Sequence, residues 1–348
     1  MGAQYIERND ILQSYFPQDL ARIVEHSSAI KPRLFCGGAH TAVVQSTGQI
    51  VVSGGTDTNH PYESQGEMII DYPVKNFSPV PGLRGVISAE CGVGSTFLLL
   101  LDGQVLRYGN SLPSTILTNV SDIVSIVVSK ITLLIRADGQ VYHSTVETHD
   151  GFKLMKDVED IVSATINIRD DTIIFLNSVG EVLILNNEVT KYTALPEINN
   201  AIQLTGDIDH ILALRVDGKV LIKGQIAGLD MVEAKTFTEI ESLSNIVAIA
   251  TGWRHAIALS ADGCVYGWGD NFRTSLGFKS EHKDGDGRII VPLKVIITGK
   301  FRDVRCSTSN TFLISTDGSV IGAGGNYAYE LGLPGKRLPF TKLDVMVK

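Results

Sequence analysis

Three histidines stand where chemistry could occur. His40, His210 and His255 each lie seven residues before the first residue of a turn pair, Thr47-Gly48, Asp217-Gly218 or Asp262-Gly263. An imidazole titrates near neutral pH and can serve as acid, base or metal ligand. The same place in four further copies holds Ser95, Ile131, Thr172 and Asn310. A position filled by His, Ser, Thr, Asn and once by Ile points away from one catalytic centre. A polar side chain at a tight corner satisfies backbone groups that have no other partner. His40, His210, His255 and Asn310 are therefore read as structural corners. The chain holds no Gly-x-Ser-x-Gly elbow, no Gly-x-x-x-x-Gly-Lys loop and no Cys-x-x-Cys pair,. Asp284 and Asp286 before Gly287 suggest a calcium loop only weakly, because a third acidic position and the distal glutamate are missing,. The expectation is a non-enzymatic chain, with no cofactor and no metal site.

The elements that position these residues form a repeat. Aligned on the turn, its glycine falls at Gly48, Gly103, Gly139, Gly180, Gly218, Gly263 and Gly318. A period of this size marks stacked or radial units. Each unit starts with a β-branched run such as Ile246 to Ala250 and makes a tight corner. An apolar run, an Asp-Gly turn and a second apolar run follow. Short apolar runs bounded by Gly and Asp read as strands, and Asp-Gly between two of them as a hairpin. Three or four antiparallel strands cannot bury both faces alone, but sheets packed around an axis can.

Composition agrees. The chain has 348 residues, 44% of them hydrophobic and only 7% aromatic, enough for one large all-β domain,. No uninterrupted apolar stretch is long enough for a membrane span. The N-terminus lacks a basic segment followed by an apolar core, so an intracellular location is expected. Cys36, Cys91 and Cys306 share one repeat position and Cys264 follows a turn, which fits small buried thiols better than a disulfide framework,. A net charge of −8 without a basic tail argues against direct nucleic-acid binding,.

The copy from Gly252 to Asn271, GWRHAIALSADGCVYGWGDN, resembles the repeat of the regulator of chromosome condensation family: Gly-x-x-His, Leu, Asp-Gly-x-Val-Tyr-x-Trp-Gly-x-Asn. Gly37 to Gly55 and the copy ending at Gly324 to Gly332 are similar. The resemblance covers roughly residues 34 to 335 and implies a seven-bladed β-propeller. Copies three to five lose most of the Trp-Gly-x-Asn ending, and the middle units are shorter, so clipped outer strands or shorter connections are expected there. In the family's exchange factor, corner residues contact the small GTPase Ran, and a wedge-like insertion pries at it. No insertion of that size occurs here, and MGAQYIERND is not the basic tail of the chromatin-binding members.

The expected organisation is an N-terminal helical cap or extension over residues 1–33 and the propeller over 34–348. Ile11, Leu12, Tyr15, Phe16, Leu20, Ile23 and Val24 have helical spacing around Pro17,. Leu338 to Val347 is expected as a last strand that closes the ring with N-terminal material. All seven corners should project from one face. There, Asp170, Asp171, Asp207 and Asp209 would form an acidic sector beside Trp253 and Arg254, a candidate protein-binding patch. The expected partner is a protein, and the family suggests a small GTPase. The rival readings are a scaffold component of a larger assembly and an enzyme inhibitor. Outside an assembly the chain is expected to be monomeric.

Overall fold

The computed structural model describes residues 33–38, 40–55, 63–64, 67–68, 74–80, 83–91, 95–109, 112–129, 131–145, 151–156, 158–167, 172–185, 192–206, 208, 210–224, 234–271, 273–277 and 288–347. The helical segment expected before the propeller lies outside them, and Arg33 already opens the first strand.

Seven four-stranded antiparallel sheets follow one another along the chain. Blade 1 runs from Arg33–Cys36 to Val74–Pro79, and blade 7 from Phe301–Cys306 to Arg337–Met346. Each blade is a meander, with its first strand paired to its second, its second to its third and its third to its fourth. The first strand of each blade packs on the first strand of the next, and that of blade 7 packs on that of blade 1. The first strands therefore line the axis and the ring is closed, which makes this a seven-bladed β-propeller. Strands buried on both faces read as unbroken apolar runs. The second strands His40–Val44, Thr172–Asn177 and His255–Ser260 are buried at every position. The apolar clusters lie in the seams: one joins Ala42, Val44 and Val52 of blade 1 to Val86 and Leu98 of blade 2.

The Asp-Gly repeat has a double cause. In blades 2, 3, 5, 6 and 7 the turn aspartate accepts from the amide two residues on, as Asp317 Oδ1 does from Ser319 at 2.8 Å. The glycine that follows takes a left-handed φ, 79° at Gly139,. It also lies against the start of the next blade: a Cβ on Gly139 would stand 2.6 Å from the Asp160 Cα.

Outer strands differ as the unit lengths predict in part. Blades 3 and 4 keep only Lys153–Leu154 and Thr193–Ala194, whereas blades 6 and 7 have Arg288–Lys294 and Arg337–Met346. Blade 5, although one of the shorter units, has a six-residue outer strand, Ala234–Glu239. The last strand falls where expected: Arg337–Met346 pairs within its own blade, Gly324 opposite Leu338 and Ser319 opposite Met346. The Val347 amide then donates to the Gly318 carbonyl at 2.7 Å. Among the described residues the blade 7 sheet takes no strand from blade 1. The two blades close by side-chain packing, with Leu34 and Val43 of blade 1 in one cluster with Phe312, Val320 and, from the last strand, Leu343 and Val345.

Candidate protein-interaction face

The connections between first and second strands all emerge on one face, because every blade is the same meander wound in the same sense. In blades 1 and 6 the corner glycine is required. Gly37 and Gly252 lie under the imidazoles of His40 and His255, and a Cβ on Gly37 would stand 3.0 Å from His40 Cε1. The Gly252 amide donates to the His255 carbonyl at 2.9 Å and closes the corner. Blade 7 replaces the pair with Ser307 and Asn310, whose side chains hydrogen-bond at 2.9 Å. Asn310 Nδ2 also donates to the Gly325 carbonyl.

The histidines link one blade to the next. His40 Nε2 hydrogen-bonds Thr96 Oγ1 of blade 2 at 2.9 Å, and His255 Nε2 bonds Thr311 Oγ1 of blade 7 at 3.1 Å. In both cases the partner is the residue just after the next blade's corner position. That position reads Thr41, Thr96, Thr132, Ile173, Ile211, Ala256 and Thr311 around the ring. His210 of blade 5 faces the blade whose residue there is Ala256, and among the described residues neither of its ring nitrogens finds a partner. The Thr41 and Thr132 hydroxyls are likewise unpartnered among the described residues. Thr41 lies at the seam with blade 7, whose Asn310 turns to Gly325. Sequence reasoning marked the histidines but missed these threonines, although the fixed offset after each corner was visible.

Burial sets the protonation of these rings. Removal from water pushes His40 and His255 down to about 4 and His210 down to about 3, and the nearby His255 also lowers His210,. They are neutral structural groups at physiological pH. At the corner end of the central axis, Cys36, Cys91 and Cys306 end three adjoining first strands and remain free thiols. Burial raises the Cys36 thiol, and its neighbours Cys91 and Cys306 raise it further. Burial also pushes Glu90 up to about 7, against the opposing pull of Arg305. Among the described residues no group of His, Cys, Asp and Glu could hold a metal ion.

Trp253 and Arg254 lie on the blade 6 corner, and both are exposed, Trp253 by 44%. The Trp253 amide donates to the Thr308 carbonyl of blade 7 at 3.2 Å, which fixes the corner while the indole faces solvent. An indole held in water by a rigid backbone is surface prepared for contact. The aspartates expected beside it, Asp170, Asp171, Asp207 and Asp209, lie outside the described residues.

The site is therefore a propeller face of glycine and histidine corners on which Trp253 and Arg254 stand exposed. Residues 246–273, the blade 6 inner strands and this corner, match the family described as Regulator of chromosome condensation (RCC1) repeat. The chain is similar to Schizosaccharomyces pombe Protein pim1, 30% identical over 158 residues, covering 42% of this chain and 29% of that protein. It is similar to the Saccharomyces cerevisiae Guanine nucleotide exchange factor SRM1, 28% identical over 160 residues, covering 42% of this chain and 32% of that protein. The chain thus matches less than a third of each relative's length. The crystal structure of Saccharomyces cerevisiae Prp20p, studied for its binding to Gsp1p and histones, superposes with a TM-score of 0.53 at 16% identity, over 89% of this chain and 76% of that one. That likeness shows the fold. The repeat match places one RCC1 repeat in blade 6, and the relatives show what the chain is similar to.

Proposed function

We propose that this chain is a non-enzymatic protein-interaction propeller whose corner face receives a protein partner. The observation that carries the reading is Trp253, 44% exposed on a corner that His255 and Thr308 hold rigid. Arg254 beside it is exposed as well. Tryptophan and arginine dominate the energetics of protein interfaces. The finer proposal is a small GTPase of the Ran type, supported by the similarity to an exchange factor and by the likeness to Prp20p, studied for its binding to Gsp1p. Asp170, Asp171, Asp207 and Asp209 would present carboxylates to a basic patch of that partner. An exchange factor binds the nucleotide-free GTPase more tightly than the loaded one, and linkage then lowers nucleotide affinity.

Stopped-flow release of a fluorescent guanine nucleotide from Ran and a small GTPase panel tests this. Acceleration that falls in the Asp207→Ala, Asp209→Ala double variant supports the proposal. If no GTPase responds but a pull-down captures a partner through Trp253, the GTPase part fails and the interaction role stands. A Trp253→Ala protein that captures every partner of the parent chain sinks the corner-face reading.

A further inference from the structure

Two neighbouring blades build the same bend after their third strand. Asn271 Oδ1 accepts from the Leu276 amide at 2.9 Å, and Asn326 Oδ1 from the Leu331 amide at 2.8 Å. Each bend passes through a left-handed residue that is not glycine, Thr274 at φ 60° and Tyr329 at φ 62°. Asn326 Nδ2 adds bonds to the Leu333 and Gly335 carbonyls. Leu276 and Leu331 are fully buried and anchor the bends in the core. This is the physical role of the asparagine and leucine in the repeat ending.

The two bends hold Arg273 and Tyr327. The Arg273 guanidinium lies 5.4 Å over the Tyr327 ring, and Arg337 Nε donates to the Tyr327 hydroxyl at 2.8 Å. Arg273 passes close over Gly325, where a Cβ would stand 3.3 Å from its Cδ and 2.9 Å from Ser309 Oγ. Ser309 belongs to the blade 7 corner, onto which the Trp253 amide is bonded through Thr308. A continuous strip therefore crosses the blade 6–7 seam: Trp253, Arg254, Arg273, Tyr327, Lys336 and Arg337, all exposed. Glu330, which feels the pull of Arg273, is buried with its Oε2 taken by the Ala328 amide. Among the described residues the strip brings four cations and two exposed aromatic rings together in a chain of net charge −8.

We propose that this seam binds an extended acidic polypeptide segment, an Asp or Glu carboxylate on the guanidinium fork of Arg273 and an apolar side chain against Trp253. The fork geometry of arginine matches a carboxylate in two parallel bonds. Tyr327 is already fixed by its two arginines and the bends by their asparagines, so little freedom remains to be lost on binding. A long phosphodiester fits less well, since its affinity grows with many phosphate contacts and the rest of this acidic chain repels it. The proposal rests on the corner-face reading only in sharing Trp253 and Arg254.

Fluorescence anisotropy of the full chain with a labelled Glu/Asp peptide carrying one Phe tests it. The controls are the same peptide in Gln/Asn form and an oligothymidylate of equal length. The acidic peptide should bind about tenfold tighter than its amide twin. Arg273→Ala should weaken it about tenfold, with Arg273→Lys recovering only part. Equal binding of acidic and amide peptides overturns the proposal, as does an Arg273→Ala protein of unchanged affinity and unchanged thermal stability. Oligothymidylate bound as tightly as the peptide overturns the assignment to polypeptide. The Asp207→Ala, Asp209→Ala variant should leave this binding intact, so loss of GTPase action and loss of acidic-peptide binding are separate results.

Discussion

Blades 6 and 3 fold the same strands with different corners. Blade 6 has Gly252 beneath His255, a buried Trp268 on its third strand, an asparagine-locked bend and an outer strand over Arg288–Lys294. Blade 3 has Val128 and Ile131 at the corner positions and an outer strand of two residues, Lys153–Leu154. Yet Leu133, Leu134 and Ile135 are as fully buried as Ile257, Ala258 and Leu259. Both blades also place their turn glycine in the left-handed region, Gly139 at 79° and Gly263 at 83°. The inner strands and the turn thus suffice to close the ring. The corner and the outer bend decide what the ring presents.

The sharpest way to separate the two kinds of blade is acid. Blades 1, 5 and 6 have corner histidines and the other four do not. The folded values of these rings, about 4 for His40 and His255 and about 3 for His210, lie below the unfolded 6.5. Between those limits the unfolded chain binds more protons, so this contribution is complete above pH 6.5 and is lost as pH falls toward 4. At about 1.4 kcal/mol for each unit of difference, the three rings together remove several kcal/mol by pH 4. Urea midpoints should drop steeply over that window. Hydrogen exchange should show blades 1, 5 and 6 opening before blade 3. Stability that stays flat from pH 7 to pH 4 would contradict the buried neutral rings.

The next effect is steric and local. A side chain on Gly252 runs into the His255 ring and the Ser307 carbonyl. Gly252→Val should cost roughly 2–4 kcal/mol, the range of an overpacked core site with backbone in the way. Val128→Gly in blade 3 makes the reverse exchange where no imidazole sits, and should cost only about 1 kcal/mol, mostly backbone entropy. Thermal unfolding of the two variants decides. Equal losses would mean that the corner glycine answers to something other than the ring above it.

What the sequence reveals follows the same division. Strands, turns and the number of blades were legible, because a strand buried on both faces must be an apolar run and each turn needs its glycine. The corner positions of the histidines were legible from their fixed offset before each turn. The threonines that receive them were not, since a partner in the next blade, 56 residues away in both bonded pairs, leaves no local pattern. The run from Leu338 to Val347 was legible as a last strand at the closing seam, but only its register shows that it pairs with Ser319–Gly325. Arg273 and Tyr327 were passed over because each is ordinary within its own repeat. Their meeting depends on two asparagine locks in adjacent blades.

The smallest effect tests whether the seam between blades 5 and 6 lacks a single bond. His40 and His255 each meet a threonine hydroxyl, whereas His210 faces the blade that offers Ala256. Ala256→Thr restores at this seam the residue that blades 1, 2, 3 and 7 already carry. A buried hydrogen bond made where a ring nitrogen had none is worth about 1 kcal/mol. The added branch must enter a site where Ala256 is fully buried, so the net gain should be smaller than that bond,. Ala256→Ser supplies the hydroxyl with less bulk and separates the two contributions. A urea midpoint that rises at constant slope, with a shifted His210 ring signal in the NMR spectrum, is the expected result. If neither variant moves the His210 signal, the ring does not point across the seam, and the blade-to-blade relay holds for blades 1 and 6 alone.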